Sequence, residues 1–318
     1  MIEISVIIPA HNASNSIIRC LDSLKNSPLS NFEVIVVDDA STDDTVATVE
    51  RYISSGNAFV KLVKNKINQG PSLSRKNGIE KSNGIYMAFV DSDDYVETDF
   101  LSTLYESSKR NASDITICDY YVVNNRGKRK IKKVATNYEA EKKSSRLLLS
   151  IDSFCTCLIK KNLFNNITFP NIRNGEDMAV IPQLLERANK VYYVSKPLYN
   201  YVYYKASLSN SFSKSKVQSL VTSFEIIEAS LGEKYPSETE FLGIRNLLYG
   251  GLLAIFKHNY DKESANMLIN GFELKYPRWY ESKYIKLLPF YKKFFVKNVK
   301  KRNWMVVRML CYIHSILK

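Results

Sequence analysis

Asp91-Ser92-Asp93-Asp94 follows directly on the strand-like run Tyr86–Val90. In an extended chain alternate side chains point the same way, so Asp91 and Asp93 converge on one point. Two convergent carboxylates suit a hard divalent cation, Mg²⁺ or Mn²⁺, which takes further oxygens from a phosphate-bearing ligand. The alternative is structural, since acids at strand ends are common and Asp94 or Thr98 would then cap the next helix. A Ca²⁺ loop starts similarly, but Val96 occupies the place where its sharp turn needs Gly.

Four further features carry comparable chemistry. Asp38-Asp39 closes the run Glu33–Val37; it reads either as a solvated turn or as carboxylates accepting from a base N–H or a ribose hydroxyl. Pro9-Ala10-His11-Asn12 follows Ile4–Ile8, with His11 better suited to bonding a loop than to catalysis. Arg75, near the start of a helix, is either a surface charge or a partner for a diphosphate. Glu176-Asp177 after Gly175 is either an acid pair favoured by a helix N-terminus or a carboxylate placed to take a proton.

These loops need a frame, and residues 1–119 supply one. Strand patterns at Ile4–Ile8, Glu33–Val37, Phe59–Val63, Tyr86–Val90 and Ile115–Cys118 alternate with helical patterns at Ser14–Asn26, Asp43–Ser54, Ser72–Ser82 and Thr98–Lys109. This is the signature of a parallel α/β sheet, which binds ligands beyond the carboxyl ends of its strands. Pro9 is expected to end the first strand, and Ser41-Thr42-Asp43 to cap the second helix. There is no G-x-G, so the dinucleotide fingerprint and the phosphate-cradling P-loop are excluded.

Beyond Asp119 the pattern changes. Tyr120–Val123 and Ile131–Ala135 flank a turn at Asn124–Gly127, and a charged helix is expected from about Glu139 to Ser150. Residues 154–210 are mixed and 216–275 mainly helical. Cys155-Thr156-Cys157 alternates like a strand, and none of the five cysteines has metal-site spacing, which fits a reducing compartment.

Together the stretches SVIIPAHNASNSIIRCLDSL, FEVIVVDDASTDDT, NQGPSLSRKNGI and NGIYMAFVDSDDYVETDFL resemble glycosyltransferase family 2, the inverting transferases of the GT-A fold. A second block, NGEDMAVIPQLLERANKVYYVSKPLYNY followed by SLSNS, is similar to the acceptor-side half of bacterial polysaccharide transferases. The resemblance covers about residues 2–210. It implies a Rossmann-like, mostly parallel sheet flanked by helices, followed by a helical C-terminal region. Residues 1–119 would be the nucleotide-sugar half, 120–215 the acceptor-side half, and 216–318 the helical region.

By the same resemblance Pro9, Ala10, His11, Asn12 and Asp39 would hold the uridine of a UDP-sugar and Asp38 would support their turn. Arg75 would lie near the diphosphate, beside Asp91 and Ser92. Asp91 and Asp93 would hold Mn²⁺ or Mg²⁺, with Asp93 the direct ligand. Asp177 best matches the catalytic base, with Glu176 the alternative. Where the family often has arginines after Tyr199 and Tyr201, this chain has Asn200, Val202 and Tyr204, with Lys205 the nearby cation. A D-x-D phosphotransferase is the competing enzyme reading, but its nucleophile should follow the first strand. A non-catalytic membrane-binding scaffold is the other alternative.

The net charge of +13 is unevenly placed. Residues 276–318 hold eleven Lys and Arg, one acid (Glu281) and ten aromatics, which leaves +3 for residues 1–275. The tail, read as one helix, puts Lys297, Lys301, Trp304, Arg308, Ser315 and Lys318 on one face and Val299, Val306, Leu310, Ile313 and Leu317 on another. Such a helix suits the anionic surface of an inner membrane; packing on its own domain, a homo-oligomer contact and nucleic acid are the alternatives, the last lacking any motif. Met1 leads into a strand rather than a signal peptide, and Leu247–Phe256 is half the ~20 residues a spanning helix needs. The expectation is a cytoplasmic protein on the inner face of the membrane. Its partners would be a UDP-sugar and a glycan or lipid-linked glycan acceptor, not nucleic acid.

Overall fold

The first two apolar runs become strands buried almost throughout, β1 (Ile4–Ala10) and β2 (Phe32–Asp38), because each is covered on both faces as parallel strands usually are. Helix α1 (Ile17–Lys25) connects them, α2 (Thr45–Ser54) leads to β3 (Val60–Lys64), and α3 (Gly70–Lys81) leads to β4 (Tyr86–Phe89). The computed structural model describes residues 1–134, 142–148, 153–203, 214–258 and 261–316, and these fall into two compact units divided after Ser207.

In the first unit, β1 pairs in parallel with β2 and β4, and β2 with β3. Pro9 does not end β1. It lies inside the strand opposite Val37, and its missing N–H costs nothing because the β4 pairing stops at Ile7. After the two-residue β5 (Tyr95–Val96), α4 (Phe100–Asn111) leads into β6 (Ile115–Val123), which fuses the two expected strands Ile115–Cys118 and Tyr120–Val123. β6 turns back through Asn124–Gly127 into β7 (Arg129–Lys132), with Asn124 Oδ1 accepting from the N–H groups of Arg126 and Lys128. Of the expected charged helix only α5 (Lys143–Leu147) falls within the described residues. Ala135, Lys205 and the stretch 207–211 lie outside them.

Past β4 the sheet becomes mixed. β8 (Cys157–Lys160) runs antiparallel between β4 and β6; after α6 (Glu176–Arg187), β9 (Val191–Val202) pairs in parallel with β6 and antiparallel with β5. The order is β3-β2-β1-β4-β8-β6-β9-β5, with β7 on β6. Cys155 is not in a strand: Phe154–Thr156 form a single 3₁₀ turn, and β8 begins at Cys157. Helix α3 packs tightly on the sheet because Gly78 lacks a side chain; a Cβ there would meet Ile7 Cγ2 at 2.4 Å. That close approach positions Arg75, one turn earlier, near the strand ends.

The second unit is helical: α7 (Lys214–Leu231), α8 (Pro236–Gly243), a π-helical stretch Ile244–Gly251, α9 (Leu252–His258), α10 (Lys262–Lys275), α11 (Phe290–Lys300) and α12 (Trp304–Ile316). Its core is aromatic, with Phe224 against Phe272 and Tyr276, Tyr249 against Phe295, and Phe256 against Trp304. The basic tail is not one helix. It breaks between Lys300 and Trp304, where Arg302 takes φ +52° and its guanidinium bonds Glu273 at 2.8 Å and Asn270 at 3.0 Å. The two faces expected on a single helix are therefore interrupted at that break, and Leu317 and Lys318 lie outside the described residues.

Candidate functional site

The carboxyl ends of β3, β2, β1 and β4 stand side by side, so the loops after them meet along one edge. Asn12 takes φ +52°, a conformation its short polar side chain tolerates through local bonding. Its Oδ1 accepts from the Thr42 N–H at 2.8 Å and its own N–H donates to Ser41 Oγ at 3.0 Å. His11 Nδ1 donates to the Asp39 carbonyl at 3.0 Å, so the loops after β1 and β2 are laced together. The turn after β2 enters α2 through Asp43, whose Oδ1 accepts from the Thr45 N–H at 3.0 Å.

The two acids at the end of β2 do different things. Asp38 Oδ2 accepts from the Ser41 N–H at 3.2 Å, while its Oδ1 is buried and has no partner among the described residues. Asp39 accepts from Asn65 Nδ2 at 2.8 Å and from the N–H groups of Gln69 at 3.0 Å and Gly70 at 2.7 Å, which fastens the start of α3 to β2.

Arg75 is the hub of the site. Its guanidinium is buried, bonding Asp91 Oδ1 through Nη2 at 2.6 Å and Glu176 Oε1 through Nη1, and it lies 5.7 Å from the Phe154 ring. One cation therefore joins the end of β4 to the first turn of α6, across 101 residues of sequence. Asp177 beside it has no ion-pair partner among the described residues. It accepts a long bond from the Phe154 N–H, 3.4 Å, and its carboxyl is pushed well above the ordinary range by burial and by the charge of Glu176, against the opposing pull of Arg75.

Asp91, Ser92 and Asp93 are half-buried at the turn after β4. Burial and the neighbouring Asp91 charge raise the Asp93 carboxyl, and Arg19 donates to the Asp93 backbone oxygen rather than to that carboxylate. These are hard oxygen donors, the class of ligand that suits a divalent cation. Among the described residues no group of three or more His, Cys, Asp or Glu is arranged to hold a metal ion, so a cation there would depend on oxygens from water and ligand.

Asp94 does not cap the following helix, and neither does Thr98; α4 starts after Asp99. Asp94 is buried, accepting from Tyr199 Oη at 2.6 Å and the Val202 N–H at 2.7 Å, and the Asp91 N–H in turn donates to Tyr199 Oη at 3.2 Å. Tyr199 thereby fixes the acidic turn from β9. Neither Tyr199 nor Phe154 was marked as a site residue by sequence, because both reach the site through contacts between distant segments. Asp94 did stand beside the acidic pair, but its type suggested only a cap.

The chain matches the profile described as glycosyl transferase family 2 over residues 5–168. It is 30% identical over 263 residues to the glycosyltransferase GlyA of Streptococcus pneumoniae, covering 77% of this chain and 37% of that protein. It is 33% identical over 195 residues to the poly(ribitol-phosphate) beta-glucosyltransferase of Bacillus spizizenii, covering 59% of this chain and 30% of that protein. The chain thus spans about a third of the length of these two relatives. Among solved structures, S. aureus TarS 1–349 superposes with a TM-score of 0.70 at 20% identity, covering 100% of this chain and 92% of that one. A structure of the same protein with UDP-GlcNAc superposes with a TM-score of 0.65 at 21% identity. The likeness is one of fold, a GT-A domain followed by a helical region.

Proposed function

The chain belongs to glycosyl transferase family 2, and from that premise we propose that it transfers a sugar, with inversion, from a UDP-sugar to an acceptor hydroxyl. The acceptor is a glycan, most simply a lipid-linked one in the synthesis of a bacterial surface polysaccharide. Relatives named as glucosyl and N-acetylglucosaminyl transferases of poly(ribitol-phosphate), and a fold neighbour crystallised with UDP-GlcNAc, support the substrate class.

The observation that carries this reading is the meeting of Asp91, Arg75, Glu176 and Asp177 at one sheet edge. Pro9, Ala10, His11, Asn12, Asp38 and Asp39 form the uridine end, and Arg75, Asp91 and Ser92 flank the diphosphate. Asp91 and Asp93 would hold Mn²⁺ or Mg²⁺, which supplies positive charge opposite the departing diphosphate. Asp177 acts as general base: Glu176 is neutralised by Arg75, whereas the Asp177 carboxyl is raised and so binds a proton more strongly. It takes the acceptor hydroxyl's proton as that oxygen attacks the anomeric carbon on the side away from UDP.

The tail would keep the enzyme on the cytoplasmic face of the membrane. No helix among the described residues is long and apolar enough to cross a bilayer. On α12, however, Met305, Met309, Tyr312 and Ile313 recur at helical spacing and are 83%, 51%, 67% and 42% exposed. Such a stripe suits insertion at the headgroup level. Asp177→Asn is expected to bind UDP with Mn²⁺ in calorimetry while losing transfer. If Glu176→Gln alone loses transfer, Glu176 is the base. Met309→Ser with Ile313→Ser is expected to release the chain from vesicles in flotation, and unchanged flotation would remove the membrane assignment.

A further inference from the structure

Within the helical unit a cavity of about 220 Å³ opens between α11 and the segment Trp279–Ile285. Its walls are Trp279, Tyr280, Ile285 and Val296, and Lys293, Lys297, Lys300 and Lys301 complete the lining. Lys293, Lys297 and Lys300 share one face of α11 at spacings of four and three, and Lys301 is the residue that ends it. Among the described residues no carboxylate lines the cavity. Lys300 lies 3.8 Å from Glu273 and 3.9 Å from the centre of the Tyr280 ring, but Lys293, Lys297 and Lys301 have no acid within 4 Å among the described residues. Glu273 is otherwise engaged by Trp279 Nε1 at 3.1 Å and by Arg302 at 2.8 Å, so it stiffens the wall rather than neutralising the cleft.

We propose that this cleft is a binding site for a phosphate group carried on an anionic lipid headgroup. Lysines are compact, strongly hydrated point charges suited to a phosphate that keeps part of its water. The volume lies below the roughly 300–1,000 Å³ of pockets that enclose a drug-sized ligand, so it fits a compact anion with a short carbon stem better than a nucleotide sugar. The apolar floor of Trp279, Ile285 and Val296 accommodates that stem. Phe290 and Phe294 are exposed on the same face of α11, one turn before the lysines, where they would enter the acyl boundary beside a headgroup. A free phosphate makes no use of those two rings, which favours the lipid as the source.

The inference rests on reading the tail as membrane-facing, and the test separates the two. The full chain is floated with phosphatidylcholine vesicles with and without phosphatidylglycerol, comparing wild type, Lys297→Gln/Lys301→Gln, and the control Lys283→Gln/Lys286→Gln, which removes the same charge outside the cleft. Circular dichroism verifies that each variant is folded. In parallel, soluble glycerol phosphate is titrated against the emission of Trp279 in a Trp304→Phe background. The expected result is phosphatidylglycerol-dependent binding that weakens on the order of 30-fold in the cleft variant and far less in the control. Equal losses in both variants would mean diffuse surface charge and overturn the site while leaving membrane binding intact. Failure to float, with glycerol phosphate still shifting Trp279 only when the cleft lysines are present, would retain a phosphate site and reject the lipid as its source. No response to either ligand would overturn the proposal.

Discussion

Replacing Arg75 by methionine keeps most of the side-chain stem but removes the cation that bridges Asp91 and Glu176. Asp91 is 36% exposed on its side chain, so the loss of its partner is largely screened by water. Glu176 is only 8% exposed and would be left as a buried charge with no counter-ion, a change that costs about 3–5 kcal/mol. Urea unfolding at pH 7 should show a loss of that size. Adding Glu176→Gln to the methionine variant removes the stranded charge and should recover a large part of the stability, giving a strong coupling in the double-mutant cycle. A methionine variant within about 1 kcal/mol of wild type at pH 7, or one unimproved by the second substitution, would refute this account of the hub.

Three other outcomes follow from the same geometry. Tyr199→Phe removes the acceptor for the Asp91 N–H and a donor to Asp94, and should lower stability by about 1–3 kcal/mol in denaturant titration while weakening Mn²⁺-dependent UDP binding. Glu33→Gln tests the opposite end of the sheet, where burial is outweighed by bonds from Lys61, Ser5 and Asn83, so that the carboxyl sits below its ordinary range. Because its folded pKa is depressed, its contribution is present above about pH 4.3 and lost as pH falls through the folded value; the gap between wild type and variant should narrow in acid unfolding. Asp43→Ala should cost about 1 kcal/mol at pH 7 through the lost bond to the Thr45 N–H. Bonds from Thr45 and Ser14 hold the Asp43 carboxyl down to about 2 against burial, so thermal unfolding should show the difference closing only toward that pH.

The parallel quartet β1 to β4 and its loops were legible because strand and helix periods alternate and ligand loops fall beyond strand ends. The place of Asp91 and Asp93 just beyond β4 was legible for the same reason, but they lie in a turn rather than on the extended chain that the alternation argument needs. What joins these loops was not. The Arg75 bridge to Glu176 spans 101 residues and the Tyr199 bond to Asp94 spans 105, and no local pattern encodes either. Pro9 misled as a strand end because only the stopping point of β4 makes its missing N–H harmless. The tail break was hidden because Arg302, not Gly, takes the left-handed conformation there, held by Glu273 and Asn270. The antiparallel insertion of β8 between β4 and β6 is likewise a matter of topology that strand propensity does not carry.

The central claim is that the acidic turn after β4 and the head of α6 form a UDP-sugar transferase site. Its most direct test is UDP release from a panel of UDP-sugars in the presence of Mn²⁺, comparing wild type with Asp93→Ala. Wild type is expected to release UDP from at least one donor, and Asp93→Ala to release none above background. Equal release by the two proteins, or a wild-type chain that neither releases nor binds UDP with Mn²⁺, would contradict the claim.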